Sequence, residues 1–101
     1  MGTILVIDDD EDIWELFEQI LSKDGHKVIT ALTAQEGYLK AEQFDVAIID
    51  KNLPDMDGVE LLTRLKELDP DSYCIMATGY ASLESSIEAL NEGAYAYMHI
   101  C

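Results

Sequence analysis

The chain has 101 residues, of which 49% are hydrophobic, and a formal net charge of -15. The length suits one domain with a buried core, and the apolar fraction excludes a disordered acidic tail. A charge this negative, with only six Lys and Arg, argues against nucleic-acid or anionic membrane surfaces and favours metal cations and basic partners. We expect a cytoplasmic protein, because the chain shows no signal-peptide pattern, no membrane-length apolar run and no cysteine framework.

Apolar runs of strand length alternate with amphipathic stretches of helical length. Strands are predicted over residues 3–7, 27–30, 46–49, 73–78 and 94–100. Four helices are predicted between them from apolar residues at helical spacing and from cap signals. The expected inward residues are, in chain order, Ile13, Leu16, Phe17, Ile20 and Leu21; Tyr38 and Ala41; Val59, Leu61, Leu62, Leu65 and Leu68; and Ile87 and Leu90.

Strands that alternate with helices predict right-handed crossovers and a parallel sheet. In such sheets, ligands bind beyond the carboxyl ends of the strands. Asp8 and Asp9 follow the first strand, Asp50 follows the third, and Thr78 ends the fourth. We therefore expect these four side chains to meet on one rim of the sheet.

The acidic run from residue 8 to residue 12 has two interpretations. Carboxylates on one rim repel one another, and a hard divalent cation with oxygen ligands relieves the repulsion. Alternatively, the acids cap the following helix and interact favourably with its dipole. We favour the capping role for Asp10, Glu11 and Asp12. For Asp8 and Asp9 taken alone, capping and metal binding are equally good interpretations. Asp50 occupies the matching place after the third strand, and its presence favours metal binding.

Five motifs follow one another over nearly the whole chain: "ILVIDDDEDI", "GHKVITALTAQEG", "FDVAIIDKNLPDMDGVELL", "IMATGYAS" and "ALNEGAYAY". Together they resemble the receiver domain of two-component response regulators, in the CheY-like superfamily. The resemblance implies a flavodoxin-like, doubly wound α/β fold. Its five parallel strands would have the order 2-1-3-4-5.

The resemblance also implies a metal site and a nucleophile. Asp50 would accept the phosphoryl group of a phosphohistidine on a histidine kinase or phosphotransfer protein. Asp9 would bind Mg²⁺ directly and Asp8 mainly through water, while the backbone carbonyl of Asn52 would complete the protein ligands. These roles agree with phosphoryl transfer, which depends on positioning and on neutralising negative charge.

Two further residues would form the switch of such a domain. Thr78 would donate its hydroxyl to a phosphoryl oxygen, and Tyr97 would be the aromatic residue that repacks when Thr78 moves. Without the other motifs, Thr78 is better interpreted as a cap or turn residue and Tyr97 as core. Gly79 would leave the attacking path open.

The sequence departs from the family after the fifth strand. Where the family has a lysine and then a proline, this chain has Ile100 and Cys101, and neither can pair with a phosphoryl group as lysine does. No Lys or Arg follows Lys66. By strand alternation, Lys51 and His99 should point away from the acceptor.

The chain also stops where the family's fifth helix would begin. We expect residues 1–101 to form one receiver domain, truncated before that helix, with part of one sheet face bare. That face, or the fourth helix with the fifth strand, is a possible homodimer interface. We expect truncation or an altered tail rather than natural degeneracy.

Three functions are considered. The first is a phosphoacceptor signalling domain of a phosphorelay that catalyses its own phosphorylation and is not a turnover enzyme. The second is a degenerate pseudo-receiver, which would bind proteins independently of phosphate. The third, an aspartyl phosphatase of the haloacid dehalogenase type, is disfavoured by the short chain and by Asp12 and Ile13 beyond the second aspartate.

Overall fold

The computed structural model describes residues 2–41, 44–79 and 82–100. Within them, five strands alternate with four helices. The elements are β1 Thr3–Ile7, α1 Glu11–Lys23, β2 Lys27–Ala31, α2 Ala34–Leu39, β3 Val46–Ile49, α3 Gly58–Leu68, β4 Tyr73–Thr78, α4 Leu83–Asn91 and β5 Ala96–His99.

The strands form one parallel sheet in the order β2-β1-β3-β4-β5. The predicted fold class and strand order are therefore confirmed. The winding reverses between β1 and β3, whose last residues, Ile7 and Ile49, pair directly. The chain continues from these two residues into Asp8 and Asp50, so the topology alone places two carboxylates side by side.

The sheet buries two apolar clusters, because alternate residues of each strand face opposite sides. The larger cluster combines strand residues such as Leu5 and Ile49 with residues of α2, α3 and α4. Within α3, three leucines are completely buried, and each contributes about 2 kcal/mol by leaving water: Leu61, Leu62 and Leu65. The smaller cluster lies on the side of α1 and contains Ile4, Val6, Ile48 and Ala77.

Helix α1 covers only part of its side of the sheet. Trp14, Phe17 and Leu21 pack against the smaller cluster, but Leu16 and Ile20 remain 49% and 52% exposed. The described residues contain four helices, so the predicted absence of a fifth helix is confirmed within these ranges. Among the described residues, no helix packs against these two side chains of α1.

Six predictions about inward residues are wrong: Leu16 and Ile20 of α1 are exposed, and so are four residues of the other helices. Tyr38, Leu68, Ile87 and Leu90 are 39%, 50%, 50% and 50% exposed. In α2, the buried residues are small, Ala34 and Gly37, because the helix lies close to the sheet: a Cβ at Gly37 would come within 2.5 Å of Ile7. In α4, only Ala89 is buried, so the close approach of this helix also occurs at a small residue.

No helix in the described part of the chain is long and apolar enough to cross a membrane. Cys74 is a buried free thiol, and burial raises its pKa. Cys101, which stands where the family has proline, lies outside the described residues.

Candidate functional site

An open cavity of about 960 Å³ lies at the carboxyl end of the sheet. The four side chains that the sequence placed on this rim, those of Asp8, Asp9, Asp50 and Thr78, all line it. The backbone fixes the two strand ends: the N–H of Asp8 donates to Ala31 O at 3.0 Å, and that of Asp50 donates to Ile7 O at 2.9 Å. The cavity is therefore built from the ends of neighbouring parallel strands.

Three carboxylates form the acidic centre of this cavity. Asp8, Asp9 and Asp50 each offer an oxygen atom, and these atoms lie within 4.8 Å of one another. Asp8 is buried, Asp50 is half-buried and Asp9 is exposed. An all-oxygen donor set with mixed burial, open to water on one side, fits a hard divalent cation that keeps several waters.

The electrostatics of the site agree with that fit. Burial, reinforced by the charges of Asp50, Asp9 and Asp10, raises the pKa of Asp8 to about 6, although the backbone N–H of Asp10 opposes the shift. Burial also raises the pKa of Asp50, with a further contribution from Asp9, against the backbone N–H groups of Asn52 and Lys51. The carboxylates are thus held in a place where their negative charges are poorly compensated.

The remaining acids of the opening run act as helix caps. The Asp10 side chain accepts a hydrogen bond from the N–H of Asp12 at 3.0 Å, and Glu11 and Asp12 occupy the first turn of α1. Asp8 contributes to the same turn by accepting from the N–H of Asp10 at 2.9 Å. The predicted capping roles of Asp10, Glu11 and Asp12 therefore agree with these contacts, whereas Asp8 and Asp9 lie in the acidic cavity.

The loop between β3 and α3 holds Asp50 in place. A Cβ on Gly58 would lie 2.1 Å from the carbonyl oxygen of Asp50, so only glycine permits this approach. Asp57 caps α3 through the N–H of Val59 and also forms a salt bridge with Lys51. Lys51 is thereby directed to Asp57, and this hydrogen bond raises its pKa.

The end of β5 completes the wall of the cavity. Ile100 lines the cavity, packs against the smaller apolar cluster and donates its N–H to Thr78 O at 2.8 Å. His99 also lines the cavity and is the register partner of Thr78 in the neighbouring strand, while the direction of its side chain relative to Asp50 stays a prediction. A Cβ on Gly79 would lie 3.5 Å from Ile100 O, which is an ordinary contact distance.

The sequence did not indicate three features around this site, two contacts and one buried N–H group without a partner. The Asp55 carboxylate accepts from the N–H groups of Ala34 and Gln35, at 2.8 and 3.0 Å, which joins the loop after β3 to α2. The Ser85 hydroxyl lies 2.6 Å from that of Tyr97. The indole N–H of Trp14 is buried and has no hydrogen-bond partner among the described residues. The first two join residues 20 and 12 positions apart in sequence, and no local pattern indicates such pairs.

A doubly wound parallel sheet with an acidic cavity at its switch point defines the class of protein: a flavodoxin-like α/β domain with a carboxylate site. Residues 4–99 match the family model "Response regulator receiver domain". The chain therefore belongs to the response regulator receiver domain family.

Individual relatives agree with this assignment. The chain is 32% identical over 98 residues to the C4-dicarboxylate transport transcriptional regulatory protein DctD of Rhizobium meliloti (strain 1021). That match covers 95% of this chain but 21% of DctD. The chain thus spans about a fifth of the length of the curated relatives that it matches.

Two solved structures have closely similar folds. A CheY-like receiver domain protein from Methanospirillum hungatei JF-1 is 46% identical with a TM-score of 0.94, over 98% of this chain and 81% of that one. A response regulator from Burkholderia pseudomallei is 31% identical with a TM-score of 0.93, over 98% and 59% of the two chains. The latter structure contains a phosphorylated aspartic acid, a calcium ion and citrate.

Proposed function

We propose that this receiver domain accepts a phosphoryl group on Asp50 from a phosphohistidine of a histidine kinase or phosphotransfer protein. The observation that carries the proposal is the meeting of Asp8, Asp9 and Asp50 in one cavity, with Thr78 on its wall. The ligands proposed for Mg²⁺ are the three carboxylates and the backbone carbonyl of Asn52. When bound, the cation supplies positive charge that offsets the carboxylates and the phosphoryl oxygens.

In this reaction, a carboxylate oxygen of Asp50 attacks phosphorus, the bond to the histidine nitrogen breaks, and the nitrogen leaves with the bonding electron pair. The nucleophile must be ionised, which is harder for a group whose pKa is raised by burial and by the charge of Asp9. Thr78, which lines the same cavity, would donate its hydroxyl to a phosphoryl oxygen. The half-buried position of Asp50 admits the donor from the open side of the cavity.

The domain would carry one phosphoryl group per molecule and would not be a turnover enzyme. We propose a cytoplasmic location, where histidine kinases expose their phosphohistidine. We propose no nucleic-acid or membrane contact for this domain, because its net charge of -15 repels both surfaces.

The test is exposure of the purified domain to acetyl phosphate with Mg²⁺, followed by intact-mass measurement and borohydride reduction to locate the acyl phosphate. We expect one added phosphoryl group, at Asp50, that is lost in acid and in base and absent when EDTA replaces Mg²⁺. Asp45→Asn is the matched control, because Asp45 precedes β3 and is hydrogen-bonded to Thr3 N–H at 2.8 Å, away from the cavity. Label that persists in Asp50→Asn, or appears equally in EDTA, contradicts the proposal.

A second candidate function is a pseudo-receiver that binds proteins without using phosphate. It is favoured by Ile100, which packs in the smaller apolar cluster where the family has a lysine facing the site. We expect Ile100→Lys to increase the labelling rate of Asp50 several-fold, because a cation then faces three carboxylates and the phosphoryl group. Ile100→Met controls for lost packing, and equal rates in the two variants would favour the pseudo-receiver.

A further inference from the structure

Tyr97 is held by a residue of α4. Its hydroxyl lies 2.6 Å from the Ser85 hydroxyl, the shortest distance among the side-chain contacts of Ser85. The ring of Tyr97 is partly buried and packs against the larger apolar cluster. The aromatic residue at the centre of β5 therefore has a defined position, set by core packing on one side and by one hydrogen bond on the other.

Ser85 also forms the start of α4. Its hydroxyl accepts from the N–H of Ser82 at 3.3 Å, while the Ser82 hydroxyl accepts from the N–H of Ser85 at 3.1 Å, which together make a capping box. The Ser85 hydroxyl further contacts the Ser82 hydroxyl at 3.0 Å and the Ser82 carbonyl at 3.2 Å. One side-chain oxygen thus serves the helix cap and Tyr97 together.

The hydrogen-bonding capacity of a hydroxyl limits this arrangement. A serine hydroxyl donates once and accepts twice, which makes three bonds. Four groups lie within reach of Ser85 Oγ: the N–H, the hydroxyl and the carbonyl of Ser82, and the hydroxyl of Tyr97. Tyr97 and the cap therefore compete for Ser85, and a change in one bond alters the other.

We propose that Ser85 is the positioning residue of the Tyr97 switch: it holds the ring against the core without a phosphoryl group and couples ring movement to the first turn of α4. The inference rests on the proposed function, because it assigns the regulation of the Asp50 site. It follows that the position of Tyr97 depends weakly on the state of Asp50. Ile100 strengthens this conclusion, since no cation at that position connects β5 to the acidic centre.

Helix α4 also carries an exposed apolar face, which begins in its first turn. Leu83, Ile87 and Leu90 follow one another at helical spacing and are 77%, 50% and 50% exposed. Leu83 lies between the two capping serines, so loosening of the cap moves one end of this surface. The bond between Ser85 and Tyr97 thereby joins the interior of the domain to an exposed apolar face.

The experiment is ¹⁹F NMR of the domain labelled with 3-fluorotyrosine, with the Tyr97 resonance assigned by its absence in Tyr97→Phe. In the original chain we expect one sharp Tyr97 resonance that shifts little when Mg²⁺ and beryllium fluoride are added. In Ser85→Ala we expect it to shift and broaden, and to respond more strongly to beryllium fluoride. Ser85→Thr, which keeps the hydroxyl, should restore the original resonance.

Ser86→Ala is the matched control, because Ser86 is the next residue of α4 and its hydroxyl donates to Leu83 O at 2.8 Å without contacting Tyr97. A Tyr97 resonance that is unchanged in Ser85→Ala, or changed equally in Ser86→Ala, overturns the proposal. If Ser85→Ala loosens α4, Tyr97→Phe serves as the second variant, because it keeps the capping box and releases the Ser85 hydroxyl from Tyr97. Slower amide exchange in the first turn of α4 then supports the coupling, since the cap no longer shares that hydroxyl, whereas unchanged or faster exchange overturns it.

Labelling of Asp50 by acetyl phosphate is measured in the same samples. If Asp50 of the original chain is not labelled, the proposed function is contradicted. The Tyr97 resonance in the unphosphorylated domain still tests whether Ser85 positions the ring. The two failures are therefore distinguishable.

Discussion

Asp8 is only 6% exposed to solvent and lies beside two further carboxylates. Its pKa in the folded protein is about 6, above the ordinary value of 3.8, chiefly because burial disfavours the charged form. Between these two pH values, the folded state keeps a proton that the unfolded state has lost. The free energy of unfolding therefore falls as pH rises through this window, by on the order of 2 kcal/mol.

Replacement of Asp8 by Asn should remove the fall in the free energy of unfolding at higher pH. At pH 8 without divalent cations, we expect Asp8→Asn to raise the free energy of unfolding by about 1–2 kcal/mol, because burial of a charge near like charges is relieved. At pH 4 the two proteins should differ little. Urea unfolding followed by circular dichroism at both pH values measures the effect. As a control, Asp10→Asn should change stability little, since Asn caps helices as well as Asp does. If the free energy of unfolding of Asp8→Asn depends on pH as steeply as that of the original protein, the explanation is contradicted.

Gly58 allows the backbone of α3 to approach Asp50. In Gly58→Ala the new Cβ would lie 2.1 Å from Asp50 O and 2.9 Å from Lys51 Cα, and both are backbone atoms that cannot rotate away. We expect a loss of about 2–4 kcal/mol in the free energy of unfolding and weaker Mg²⁺ binding by calorimetry. Gly79→Ala, whose Cβ would lie 3.5 Å from Ile100 O at an ordinary contact distance, is the control. Equal stability of the two variants would show that the loop yields easily.

At the level of elements, α2 depends on a residue from another loop. Asp55 accepts from the N–H groups of Ala34 and Gln35, and these bonds lower its pKa. Its contribution to stability is therefore present at neutral pH and is lost as pH falls through the lowered folded pKa. The helix has only six residues, so it has little stability of its own.

Asp55→Ala should lower the melting temperature at pH 7 and speed amide exchange in α2 more than in α3, because two first-turn N–H groups lose their acceptor. Asp55→Asn keeps one acceptor oxygen, and we expect an intermediate effect. Hydrogen exchange resolved by residue measures the difference. Uniform acceleration over both helices would instead indicate general loosening.

The strands and helices could be predicted from the sequence, whereas the depth of each helix could not. Periodicity predicted that Ile87 and Leu90 share a face of α4, but a shared face is buried only where the fold supplies an opposing surface. In α4 the close contact occurs at Ala89, one residue away. Leu16 and Ile20 of α1 are exposed for a related reason, since the described residues include no helix that covers them.

The meeting of the carboxylates could be predicted because it follows from topology. Asp8, Asp9 and Asp50 each follow a strand, and parallel strands end on the same edge. The contact of Ser85 with Tyr97 and that of Asp55 with α2 could not, because each depends on side-chain positions set by packing between distant elements. The sequence thus predicts which residues reach the site but not which residues hold them there.

Over the whole molecule, the net charge of -15 opposes compaction. We expect NaCl at about 0.5 M to raise the melting temperature gradually, because the screening length is then a few ångströms. Mg²⁺ at about 1 mM should raise it further than the same ionic strength of NaCl, and this specific effect should vanish in Asp50→Asn. Thermal melts followed by circular dichroism test both effects. A rise from Mg²⁺ that is retained in Asp50→Asn would indicate only diffuse screening.

The chain contains one tryptophan, and it lies on α1 four residues after the cap that follows the acidic centre. Its indole N–H is buried without a partner among the described residues, and its ring packs with the smaller apolar cluster, which Ile100 also joins. Such surroundings give short-wavelength emission, which moves to longer wavelength when water reaches the ring. Trp14 is therefore a built-in optical probe of the apolar cluster on the α1 side of the sheet, and its spectrum reports packing there without any added dye.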